Sequence, residues 1–90
     1  MEITKELKDK IYNYFIGENY KGDEETADEL TNLVGGLWNC YDTKIDDGID
    51  DTESEDEYLM LSCFELIGGN FNVRIYYGDV TDEITCVSFY

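Results

Sequence analysis

The chain contains no histidine and no proline, and only six of its 90 residues are lysine or arginine. Lack of histidine removes the side chain most often used as a general base near neutral pH. Proline, internal repeats and linker-like stretches are all absent, so residues 1–90 read as a single domain. Cysteine is scarce. Cys40, Cys63 and Cys86 stand far apart in apolar surroundings, with no CxxC pair. An odd count at such spacing argues against a disulfide framework or a zinc site, and fits buried thiols in a reducing cytoplasm. No apolar run approaches the ~18 residues of a membrane-spanning helix. The opening Met1-Glu2-Ile3-Thr4-Lys5 lacks a basic stretch leading into an apolar one, so no secretory signal is expected. These absences together predict a cytoplasmic protein with neither metal nor cofactor.

What the chain has in excess is acid. Twenty-two aspartates and glutamates give a formal charge of −16, unevenly spread. Residues 1–22 are net zero, residues 23–57 carry −13, and residues 58–90 carry −3. Such a field repels nucleic acid and anionic membranes and draws in basic surfaces over about a Debye length. Apolar residues nevertheless make up 42% of the chain, enough to close a modest core, so disorder throughout is not expected.

Two helices come first. Ile3, Leu7, Ile11, Tyr14 and Phe15 recur at helical spacing, opposite Lys5, Glu6, Lys8, Asp9 and Lys10, and Gly17 is a plausible stop. Residues 18–25 are polar and suit a short extended segment. Thr26-Ala27-Asp28-Glu29 reads as a capping box, with Thr26 at the N-cap. Leu30, Leu33 and Val34 supply the second apolar stripe, which Gly35-Gly36 ends. Leu37 to Ile45 can alternate as a strand with Leu37, Asn39, Tyr41, Thr43 and Ile45 on one side; a helix continuing through Trp38 also fits. Residues 46–57 form an acidic loop or strand end. Tyr58–Ile67 reads as a central strand, and Gly68-Gly69 as a turn. Phe71, Val73, Ile75 and Tyr77 alternate as the next strand, and Ile84–Tyr90 forms the last. The expected class is α+β, two helices packed on an antiparallel sheet of four to five strands.

Three kinds of chemistry are open to the acids. Asp42, Asp46, Asp50 and Glu53 fall at places 1, 5, 9 and 12 of a calcium loop, but Lys44 takes the third place and Asp47 the sixth, where the turn needs glycine. Calcium binding is therefore the lesser alternative. Paired-carboxylate catalysis needs a cleft and tuned neighbours, which abundance alone does not supply, so an enzyme is not expected. The third is mimicry. Same-face carboxylates on a strand repeat at ~6.6–7 Å, close to the phosphate spacing of one DNA strand. They can meet the arginines, lysines and N–H groups that normally grip phosphates.

The order of features resembles the uracil-DNA glycosylase inhibitors, the Ugi-type DNA mimics. Three patches carry the likeness. Glu25-Thr26-Ala27-Asp28-Glu29-Leu30 resembles that family's Glu-Ser pair leading into an acidic second helix, with threonine keeping the hydroxyl. Glu53-Ser54-Glu55-Asp56-Glu57-Tyr58-Leu59-Met60-Leu61 resembles its acidic loop running into an apolar strand with methionine. Leu7 to Phe15 is similar to the first helix of one branch. The sequence departs in having no proline opening helix two and a less apolar segment before Glu25. The resemblance implies a one-to-one inhibitor that fills the glycosylase's DNA-binding groove and binds neither nucleic acid nor membrane. It implies that Glu24, Glu25, Thr26, Asp28, Glu29, Glu55, Asp56 and Glu57 meet the enzyme. It also implies that Leu30, Leu33, Val34 and Met60 line a pocket for an apolar side chain. Another DNA-binding enzyme, a restriction or CRISPR nuclease, is the alternative target.

Overall fold

Thr4 starts the first helix: its hydroxyl accepts the Leu7 N–H at 3.3 Å and satisfies one of the donors a helix start leaves free. The computed structural model describes residues 3–90. Helix α1 spans Lys5–Phe15 and α2 spans Asp23–Val34; strands β1 (Trp38–Gly48), β2 (Tyr58–Leu66), β3 (Asn72–Gly78) and β4 (Ile84–Phe89) follow. Ile11 and Phe15, one turn apart on α1, are buried. Ile3 lies before the helix yet still packs on the core, whereas Tyr14 stays largely exposed.

Helix α2 begins four residues earlier than the capping box predicts. Its N-cap is Gly22, at φ 105, a conformation open to glycine and strained for other residues. No side chain caps it; Asp23, Glu24 and Glu25 occupy the first turn, where carboxylates favour the helix dipole. Thr26 is therefore not a cap. It sits inside the helix, 1% exposed, with its N–H bonded to the Gly22 carbonyl at 3.1 Å. Gly35 ends the helix, and its carbonyl accepts the Trp38 indole N–H at 3.0 Å, so the turn into β1 is tied down.

The four strands form one antiparallel sheet in the order β1-β2-β3-β4, with the helices on one face. This is an α+β fold. The core joins Ile11, Phe15 and Leu30 to Trp38, Phe64, Leu66, Val73, Ile75, Tyr77, Ile84 and Val87. Residues 38–48 resolve as strand, with a different phase from the simple alternation. Register shifts follow Cys40 and Ile45, leaving Tyr41 and Asp46 unpaired. Each bulge inserts one residue and reverses which neighbours share a face. Trp38, Cys40, Thr43 and Ile45 consequently pair with Leu66, Phe64, Ser62 and Met60 on the helix side. Polar residues 18–22 form a connector, not a strand; Asn19 makes a single bridge to Glu83. Among the described residues no helix is long and apolar enough to cross a membrane.

Candidate functional site

The meander topology puts the β1–β2 and β3–β4 loops at the same end of the sheet. The α1–α2 connector joins them there. Gly17 and Tyr20 donate backbone N–H groups to Ile84 and Asp82, and the Asn19 amide reaches the Thr81 carbonyl at 2.7 Å. Segments 17–25, 46–57 and 79–83 thus meet, and between them hold fifteen of the twenty-two acids against one lysine, Lys21. The opposite end holds the β2–β3 turn, the exposed pair Leu37 and Ile67, and Lys8 poised 5.7 Å from the Phe71 ring. The charge imbalance of the sequence is therefore an imbalance in space.

Two carboxylates hold the acidic loop in place. Asp56 accepts the Val80 and Thr81 N–H groups at 2.9 and 2.8 Å and the Thr81 hydroxyl at 2.7 Å. The Thr81 groups, joined by the Val80 N–H, hold its carboxyl below the usual carboxylate range, against a smaller push from desolvation. In return, Asp79 accepts the N–H groups of Glu57 and Tyr58 at 2.9 and 3.2 Å.

Of the eight polar residues expected to meet a partner, five are surface groups at or near this end: Glu24, Glu25, Asp28, Glu55 and Glu57. The other three are engaged within the fold. Thr26 is buried, Asp56 is bonded to the β3–β4 turn, and Glu29 pairs with Lys21 at 3.7 Å with its side chain 17% exposed. The four apolar residues line none of the described pockets. Leu30 is fully buried core, and Leu33, Val34 and Met60 pack against that core from separate places. Ser62 touches Asp23 at the start of α2, and Met60 lies two residues farther from the helix. Leu33 and Val34 lie at the other end of α2, about 15 Å along its axis.

A groove of about 360 Å³ does run between α2 and β1, lined by Asp23, Glu24, Ala27, Asp28, Trp38, Asn39 and Cys40. Its lining joins apolar groups of Ala27, Trp38 and Cys40 to the carboxylates of Asp23, Glu24 and Asp28. A second depression, of about 530 Å³, follows Lys21 to Asp28 around the first turn of α2. Neither involves the four expected pocket residues.

Beneath this turn lies a polar chain that sequence reasoning missed. Asp23 accepts hydrogen bonds from Tyr20, from Thr43 at 3.1 Å and from Ser62 at 3.3 Å, and Ser62 shares a 2.9 Å bond with Tyr77. Burial, then the bond to Asp23, pushes the Tyr20 phenol far above its ordinary value; burial also raises Tyr77 and the Cys40 thiol. The only prior signal was Ser62, a lone hydroxyl inside the apolar run Tyr58–Leu66, which demands a buried partner.

The calcium-loop positions are dispersed. Asp42 and Asp46 are on β1, and Asp50 and Glu53 lie in the loop beyond it. Among the described residues no group of three or more cysteine, aspartate or glutamate side chains is placed to hold a metal ion. No family model matches the chain, and no curated protein or solved structure matches it.

Proposed function

We propose that this chain is a non-catalytic DNA mimic that inserts its acidic end into the DNA-binding groove of uracil-DNA glycosylase and blocks it. The observation that carries the reading is the meeting of segments 17–25, 46–57 and 79–83, whose carboxylates make one strongly negative end on a folded frame. A DNA-binding groove is lined with cationic and N–H groups that hold phosphates, and such groups accept carboxylates through charge-assisted bonds. Glu24 and Asp28 line the α2–β1 groove together with Ala27 and Trp38, a mix that suits a long basic side chain with an apolar stem and a charged head. The partner is a basic enzyme, bound one to one in the cytoplasm.

The test is a glycosylase assay on uracil-containing DNA with purified protein added. Stoichiometric loss of activity supports the reading; undiminished activity at excess protein sinks it.

One observation favours a second target. None of the described pockets is lined by Leu30, Leu33, Val34 or Met60, the residues of the apolar socket implied by the family resemblance. A DNA mimic without that socket suits any enzyme with a cationic groove, a restriction or CRISPR nuclease included. Capture from host lysate, followed by inhibition of the captured enzyme, separates the two targets.

A further inference from the structure

The acidic segment 50–57 has little to hold it in shape by itself. Within it, Ser54 N–H reaches the Asp51 carbonyl at 3.1 Å and Glu53 N–H the Asp51 carboxylate at 2.9 Å, and Ile49 N–H closes its base on the Glu57 carbonyl at 2.8 Å. None of the described hydrogen bonds ends on the carboxylates of Glu53, Glu55 or Glu57. Asp56 differs from these neighbours. Its Oδ1 accepts two backbone N–H groups and its Oδ2 a hydroxyl, all from Val80 and Thr81, twenty-four and twenty-five residues away. Its own N–H is spent on the Ser54 hydroxyl at 3.1 Å. The carboxylate also lies so close over Gly78 that a Cβ built there would overlap it. Glycine at the end of β3 is thus a seat for Asp56.

We propose that Asp56 is a positioning residue, which meets no partner but clamps segment 50–57 to the β3–β4 turn and so sets where Glu53, Glu55 and Glu57 are presented. The role of those glutamates in binding rests on the DNA-mimic reading; the clamp does not. Both Asp56 oxygens are occupied, so the group cannot engage an incoming arginine without giving up its internal bonds. Without the clamp, residues 50–56 would be tied to the turn only through the Asp79 bond to the Glu57 N–H and would have to be ordered again on binding, which a pre-organised loop avoids.

Digestion with a glutamyl endopeptidase reads the clamp directly, with cleavage positions assigned by mass spectrometry. When opening is fast relative to cutting, cleavage tracks the open population. Asp56→Ala is expected to speed cleavage after Glu53, Glu55 and Glu57 by about tenfold or more, and Gly78→Ala, which evicts the carboxylate, to do the same. Thr81→Val should give an intermediate rate, and Thr81→Ser, which keeps the hydroxyl, should restore the wild-type rate. Asp50→Asn, which removes one charge from the same loop without touching the turn, should leave cleavage unchanged. If Asp56→Ala reduces folding yield, Asp56→Asn serves in its place with a smaller increase in the same direction. A wild-type rate in the Asp56 variants overturns the proposal, as does equal acceleration after Glu65 within β2, which would mark global loosening. The digestion needs no partner. Failure of the wild-type chain to inhibit a glycosylase would therefore sink the functional reading alone, and a failed digestion would sink the clamp alone.

Discussion

Tyr20 lies flat on Tyr77, ring centroids 4.0 Å apart and planes within 7°, and both phenols feed one polar chain, Tyr20 through Asp23 and Tyr77 through Ser62. The stack fastens the α1–α2 connector to the helix face of the sheet and sets the starting point of α2. The acidic first turn of that helix is consequently built on a polar support whose inner end, Ser62 with Tyr77, is buried.

Removing parts of this support should cost stability in graded amounts. Tyr77→Phe takes one hydroxyl from Ser62, which keeps its contacts with Asp23 and Thr43; the expected loss is about 1 kcal/mol. Asp23→Ala leaves three hydroxyls without their shared acceptor and should cost about 2–3 kcal/mol. Urea unfolding of both variants beside the wild type measures this, and equal losses would contradict the central place of Asp23.

The two ends of the pH scale test different bonds. Folded-state phenol values are raised at Tyr20 and Tyr77, so the stability they lend is complete below the unfolded tyrosine value and drains away as pH climbs above it. Tyrosinate absorbance of these two should therefore rise at higher pH than that of a free phenol, and in Tyr77→Phe one fewer group should lag. Asp56 has the opposite sign. Its folded value is depressed, so its contribution is present above the unfolded carboxylate value and is lost as pH falls through the depressed one. Wild type and Asp56→Asn should differ in melting temperature at neutral pH and converge in strong acid.

Charge reversal should distinguish the two ends of the molecule. Glu25→Lys, in the exposed first turn of α2, is expected to weaken partner binding by several kcal/mol where the contact is buried, chiefly through faster dissociation. Glu6→Lys on α1 changes the net charge equally and should change affinity little. Inhibition titrations at two salt concentrations check both, and equal effects would mean that only total charge matters.

Leu30 and Met60 should separate on substitution. Leu30→Ala opens the fully buried core and should cost about 2–5 kcal/mol. Met60→Ala, at a partly buried site, should cost clearly less. A thermal melt ranks them, and a harmless Leu30→Ala would restore the pocket reading of that residue.

Much of the fold was legible because burial writes its period into the chain. Ile11 with Phe15 marks α1, and Val73, Ile75 and Tyr77 mark β3, each by simple recurrence of apolar residues. Other features left weaker traces. The bulges at Tyr41 and Asp46 shift the face of β1 without any glycine to announce them. Thr26 resembles a cap, yet α2 starts at Gly22 because the connector is pinned to Asp82 and Thr81, contacts some sixty residues away in sequence. The acidic end was legible as a charge total but not as a place. Sequence spacing cannot tell that Asp56 turns inward while Glu55 and Glu57 face water; the difference lies in the turn at Val80 and Thr81. Nor does it tell that Met60 and Leu33 are held apart, since that follows from the direction in which α2 crosses the sheet.

The molecule measures 43 × 23 × 20 Å. Four strands side by side span only about 15–20 Å, so the long dimension runs along the strands. Charge is thus displaced along the longest axis, and the protein is an electric lever. In the field of a cationic cleft it experiences torque as well as attraction, and swings acid-first before any atoms touch. Orientation, the step that usually slows protein association, is then largely settled during approach.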